Sequence, residues 1–323
     1  MARNEVLPMP WQRPLENDES LMGFVLRMAN SNEVRGIHWL YQRLGRNKLN
    51  RFKFEDCDAI ALTFGASIEN IQRVMWRRRF SHGAPIQTID TIKITKPYLI
   101  RPLRPQLCPR CIEDNGYCRL VWDLQFVSAC HVHKCALVDR CPLCHRYLQW
   151  MRPFLKHCNC GFPWNKLQTH EYTSDSPRVR LADIFQNKLR PAESNFSPQD
   201  PFEVTLSGLS IDAISKLIWI FGVKEKFDSH IGTGNSQKIL RTEDASRCAE
   251  RGYLRLKLFS CAALDKASTT LDPINLTGLK AFVLEADSDP DIRFAEWLAR
   301  EIIRQSEGTY SLGTTGQRQH QLF

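Results

Sequence analysis

Apolar positions along this chain recur mostly at helical spacing. Leu21, Phe24, Val25, Met28 and Ala29 fall on one face of a predicted helix, and Asp18-Glu19-Ser20-Leu21 reads as its start, with acid in the first turn. Ile37, Trp39, Leu40 and Leu44 predict a second helix. Upstream, Pro8, Pro10 and Pro14 keep residues 1–18 extended. Phe54, Ile60, Ala61 and Leu62 then predict a short helix, which Gly65 breaks. Ser67 can cap another helix carrying Ile68, Ile71, Val74 and Met75. Helix, glycine turn, helix is the outline of a helix-turn-helix, although an ordinary helical hairpin has the same outline. The polar side of the second helix offers Glu69, Asn70, Gln72 and Arg73, a poor face for reading DNA, which points to a protein partner.

Residues 85–97 alternate loosely and are rich in β-branched side chains, so a short extended segment is expected there. Residues 168–205 are polar and broken by Pro177, Pro191, Pro198 and Pro201. They read as a linker with room for a short helix from Val179 to Leu189. Beyond it, three amphipathic patterns predict helices: Ile211 to Phe221, Cys248 to Leu258, and Phe294 to Ile303. Residues 308–323 read as a flexible tail. The expected fold is mainly α. An N-terminal helix-turn-helix domain spans 1–105, a central double zinc-finger module 106–167, and a C-terminal helical domain 206–307.

Charge sharpens one region. The chain of 323 residues carries a net charge of +9. From Arg73 to Arg110 there are nine Lys or Arg and a single acid, Asp90. Arg73, Arg77, Arg78, Arg79, Lys93, Lys96, Arg101 and Arg104 are the candidate nucleic-acid contacts, because phosphates favour such clusters through counterion release. The bland reading is a solvated basic face. The longest apolar run, Leu217–Val223, has seven residues, against the ~20 a membrane span needs. With no hydrophobic signal region at the N-terminus, a cytoplasmic protein is expected.

Twelve cysteines without a secretory signal favour metal over disulfides. The order is Cys108-Pro-Arg-Cys111, Cys130-His-Val-His133, Cys141-Pro-Leu-Cys144 and Cys158-Asn-Cys160-Gly161. Four knuckles supply two four-ligand sites, and soft tetrahedral sets of this kind select zinc. Sequential pairing joins Cys108, Cys111, Cys130 and His133 at one ion and Cys141, Cys144, Cys158 and Cys160 at the other. A hairpin over Arg146–Trp150 that returns to Cys158 favours it, with a cross-braced arrangement as the alternative. His131 competes with His133, but the two-residue spacer favours His133. Cys118 and Cys135 are spare, and Cys57, Cys248 and Cys261 read as buried apolar residues. Full protein ligation leaves no position for water, so the ions are expected to be structural. No phosphate loop, GxSxG, HExxH or deaminase signature is present, and no small-molecule substrate is expected.

Two sets of residues carry a family resemblance. One is Asp18-Glu19-Ser20-Leu21 with Phe24, Leu26-Arg27 and Ala29. The other is the knuckle order with Asn115-Gly116-Tyr117 and Trp122 inside it. Together they resemble the TniQ/TnsD family of transposon target-selection proteins over roughly residues 15–165. The resemblance implies a non-catalytic adaptor that marks target DNA and recruits a TnsC-type AAA+ regulator. Family members either read an attachment site directly or ride on a CRISPR Cascade complex, often as a homodimer, so that a guide RNA chooses the site. The direct readers are longer, so this chain's length leans toward the Cascade-riding kind.

Overall fold

The computed structural model describes residues 7–46, 51–81, 83–223, 240–264 and 275–310. Its helical content and its two Cys/His clusters agree with a mainly α fold built around a zinc-finger-like module.

The N-terminal helices follow their caps. α1 (Leu21–Ser31) starts where the Ser20 hydroxyl accepts from the Gly23 amide at 3.2 Å, so Asp18 and Glu19 precede the cap and the first turn holds no acid, contrary to expectation. Its Leu21, Phe24, Val25, Met28 and Ala29 are buried. α2 (His38–Arg43) follows, then α3 (Cys57–Phe64). α3 ends at Gly65, whose φ of 65° is open to glycine at little cost. Ser67 then caps α4 (Ile68–Arg73), accepting from Asn70 N at 3.3 Å. α4 is only six residues long, and its one fully buried side chain is Ile71.

The extended segment expected at 85–97 is larger than the sequence suggested. β1 (Arg77–Ser81), β2 (Ala84–Ile89) and β3 (Ile92–Ile94) form an antiparallel meander in the order β1-β2-β3. Arg78 pairs with Gln87, and Gln87 with Ile94. β1 escapes a hydrophobicity reading because it is Arg-Arg-Arg-Phe-Ser, an edge strand with its side chains largely in solvent. β3 is the inner edge and packs on the C-terminal helices.

The stretch read as a linker is part of the core. α6 (Pro177–Leu189) buries Val179, Leu181, Ala182, Ile184, Phe185 and Leu189, and packs against the Leu120–Asp123 turn. α7 (Pro201–Gly208) is tied to it by Glu203. That carboxylate accepts from Arg180 at 2.8 and 2.5 Å and from Tyr253 Oη at 2.6 Å. Prolines at 177, 191 and 201 mark helix starts rather than looseness. α8 (Ile211–Gly222) is buried on every side. It packs along α9 (Thr242–Leu264) and touches α10 (Leu276–Glu285), which precedes α11 (Asp289–Tyr310). α11 runs through 308–310, where a tail was expected; residues 311–323 of that tail lie outside the described residues. One apolar core runs from Leu21 to Leu298 without a break. No described helix is long and apolar enough to cross a membrane.

Candidate metal centres and the basic surface

The first knuckle opens a helix. Cys108 is the N-cap of α5 (Pro109–Asp114), and its sulfur accepts from the Cys111 amide at 3.4 Å. The next two knuckles share one backbone design. Cys130 N donates to Cys135 O and Lys134 N to Cys130 O, both at 2.8 Å. Cys141 N donates to Arg146 O and His145 N to Cys141 O, both at 3.0 Å. In each, the residue after the second sulfur or imidazole has positive φ, 50° at Lys134 and 56° at His145. The fourth knuckle is one residue tighter, with Cys158 N on Phe162 O, Gly161 N on Cys158 O, and Gly161 at φ 88°. The Cys-x-Cys spacing explains the difference.

The side chains converge in sequential sets. Cys108, Cys111, Cys130 and His133 form one cluster, and Cys141, Cys144, Cys158 and Cys160 the other. In the first, Cys111 Sγ lies 3.5 Å from Cys130 Sγ and 3.2 Å from His133 Nδ1, and Cys108 Sγ lies 3.6 Å from that nitrogen. In the second, Cys141–Cys160 and Cys144–Cys158 are both 3.7 Å apart. Sulfurs bonded at ~2.3 Å to a tetrahedral zinc stand about 3.8 Å from each other, so both donor sets fit a metal ion of that kind. Hydrogen bonding between the thiols pushes Cys108 up and Cys111 down in pKa, a proton shared among crowded sulfurs that a dication would displace. His131 is not in the cluster; burial lowers its pKa to about 4, which keeps the ring neutral.

Three supporting residues escaped the sequence reading. Asp114 Oδ2 receives His133 Nε2 at 2.9 Å, which fixes the ring with Nδ1 toward the sulfurs. The only signal for it was an acid three residues after Cys111, which spacing rules do not weight. Arg119 pairs with Asp18, and its charge helps to lower the Cys111 thiol's pKa. Cys135, read as spare, lies 3.5 Å from Cys108 Sγ.

The Asp18-Glu19-Ser20 segment is fastened to the loop that joins the first two knuckles. Asp18 accepts from Tyr117 Oη at 2.7 Å, Ser20 N donates to Cys118 O at 2.8 Å, and Glu19 pairs with Arg27 at 2.6 Å. A Cβ on Gly23 would stand 2.8 Å from Cys118 Cβ, so glycine permits the close approach.

The eight basic candidates separate. Arg101 is buried and donates to Asp139 at 2.9 Å, Thr242 Oγ at 3.0 Å and Arg104 O at 2.9 Å. It is a strut between the zinc-finger-like module and α9, and its guanidinium cannot reach a phosphate. Lys96 pairs with Glu285 at 2.6 Å and Lys93 with Asp287, so acids at the end of α10 neutralise β3. Arg104 is exposed. Arg73, Arg77, Arg78 and Arg79 have no carboxylate partner among the described residues.

Residues 10–137 match the TniQ family model, so the chain carries a TniQ domain. No curated protein matches the chain.

Proposed function

We propose that this TniQ chain is a non-catalytic adaptor for transposition targeting, linking a target-recognition complex to a TnsC-type AAA+ regulator. The TniQ domain supports a transposition-associated role in target selection. The finer reading is that the recognition complex is a CRISPR Cascade with its guide RNA, and that the adaptor acts as a homodimer. The observation that carries the non-catalytic part is the pair of four-donor clusters, each complete without water or substrate. Two structural zinc ions would sit there, held by Cys108, Cys111, Cys130 and His133 and by Cys141, Cys144, Cys158 and Cys160. Metal ligation contributes folding free energy that small knuckles cannot gain from burial alone.

The position of the first cluster supports an adaptor. The loop between its first two knuckles holds Asp18 and the start of α1 through Tyr117, Cys118 and Arg119, so the ion would steady the angle at which the N-terminal helices are presented. Tagged chain co-expressed with the transposon's other gene products tests the reading. Co-elution with the AAA+ regulator and with Cascade is the expected result. Elution with neither, together with a salt-dependent gel shift on attachment-site DNA alone, would replace it by the second reading, a direct sequence-specific DNA binder. The uncompensated arginines of β1 are what favour that alternative.

A further inference from the structure

The basic stretch from Arg73 to Arg110 is uniform in sequence but not in space. Its later lysines are neutralised by α10 and Arg101 is buried, whereas the arginines of α4 and β1 are left without acid partners among the described residues. Glu55 pairs with Lys53 at 3.1 Å and Glu69 accepts from Ser67, so neither forms an ion pair with these arginines. β1 is also the outer strand of its sheet, paired only with β2.

Two aromatic rings accompany these charges. Phe80 is 69% exposed, and the Arg78 guanidinium lies over it at 5.3 Å. Phe54 is 51% exposed, with the Arg77 guanidinium 4.4 Å from its centre. A single exposed phenylalanine needs no explanation. Arg78 and Phe80 share one face of β1 while Arg77 and its Phe54 lie on the other, so each face offers an exposed ring beside a guanidinium that no acid holds, inside a positive field.

We propose that the β1 edge, with Arg73, Arg78, Arg79 and Phe80 as its centre, binds single-stranded nucleic acid. The arginines would take consecutive phosphates, and Phe80 would receive an unpaired base. A duplex keeps its bases stacked on each other and has no use for the ring. An acidic peptide adding to the strand edge would use main-chain groups and be indifferent to Phe80. The inference does not depend on the adaptor reading: this surface can bind a strand whether or not a regulator or Cascade is engaged.

Fluorescence anisotropy of the zinc-loaded full chain tests it, with labelled 20-nucleotide single strands and the matching duplex across a salt series. The single strand is expected to bind more tightly than the duplex. Arg78→Ala with Arg79→Ala is expected to lower the slope of log affinity against log salt by about 1.4, or ~0.7 per lost phosphate contact. Phe80→Ala should weaken single-strand binding roughly 10-fold with the salt slope unchanged. Lys93→Ala, in the same basic stretch but paired with Asp287, should bind as the parent does. Thermal melts matching the parent's confirm that these surface variants fold. An unchanged affinity and slope in the arginine variant overturns the proposal. So does equal binding of duplex that survives Phe80→Ala, which would make the face a duplex contact. Binding of an acidic peptide in place of either nucleic acid overturns it as well.

Discussion

Replacing Arg101 with alanine separates its two readings, nucleic-acid contact and internal strut, more cleanly than any other change. The side chain is 1% exposed and joins Asp139, Thr242 and Arg104 O, so its loss strands the Asp139 carboxylate among partners chosen for a cation. Thr242 N still donates to Asp139 at 2.9 Å, which softens the loss without removing it. Breaking one side of a buried ion pair costs about 3–5 kcal/mol. A chain of 323 residues gains about 0.7 kcal/mol/K of unfolding entropy, at ~2.1 cal/mol/K per residue, so the melting temperature should fall by about 4–7 °C. Differential scanning fluorimetry of zinc-loaded protein reads this directly. The double variant Arg101→Met with Asp139→Leu should recover much of the fall, because it leaves no orphaned charge. A shift below 1 °C for Arg101→Ala, combined with a loss of phosphate-dependent binding, would refute the strut and restore the surface reading.

Three further outcomes are expected. Metal analysis should find two zinc ions per chain, and Cys111→Ser or Cys144→Ser should unfold the knuckles as judged by protease sensitivity; one ion or none would sink the four-plus-four pairing. Asp114→Ala should weaken the first site about 10-fold in a chelator competition, the low end for an outer-shell partner because Asp114 is itself exposed, and should leave the second site alone; equal loss at both sites would show a global effect instead. Burial pushes Asp123 up to about 7, only partly offset by the Trp76 Nε1 bond at 3.1 Å. The folded state therefore holds a proton that the unfolded state releases near the ordinary carboxylate pKa, so this group's stabilisation is greatest at low pH and fades as pH rises to about 7. Between pH 6 and 7 the stability read from urea unfolding should fall, with Asp123 contributing at most ~1.4 kcal/mol per pH unit, and Asp123→Asn should reduce that slope; matching curves for parent and variant would contradict it.

The two Cys/His clusters were legible because donor chemistry is local: two donors per knuckle, in order, with the Pro and Gly that tight loops require. The helices with one apolar face were legible for the same reason, and Ser20, Gly65 and Ser67 punctuate them as their chemistry predicts. What sequence could not supply was partnership at a distance. Lys93 and Arg79 look alike along the chain, and only the segment just after α10, nearly two hundred residues away, distinguishes them by placing Asp287 on one. The 168–205 stretch looked like a linker because it is polar and proline-rich. Its helices instead bury charged residues in pairs, as Arg180 and Glu203 do. β1 stayed hidden because strands are sought by apolar alternation, and its sequence of three consecutive arginines, Phe80 and Ser81 buries no side chain fully.

The match to the family stops at residue 137, between the two clusters and two residues short of the carboxylate that holds Arg101. Nor do the C-terminal helices stand apart: Arg190 bonds Asn17 O at 2.9 Å and Arg73 O at 2.8 Å, and α6 seals the Leu120–Asp123 turn. The stretch that descent marks out and the stretch that can fold are thus different objects in this chain. A fragment trimmed to the recognisable segment would leave part of a shared core uncovered. Recombination faces the same constraint, since swapping target-selection halves between relatives has to carry the C-terminal helices along or rebuild their contacts.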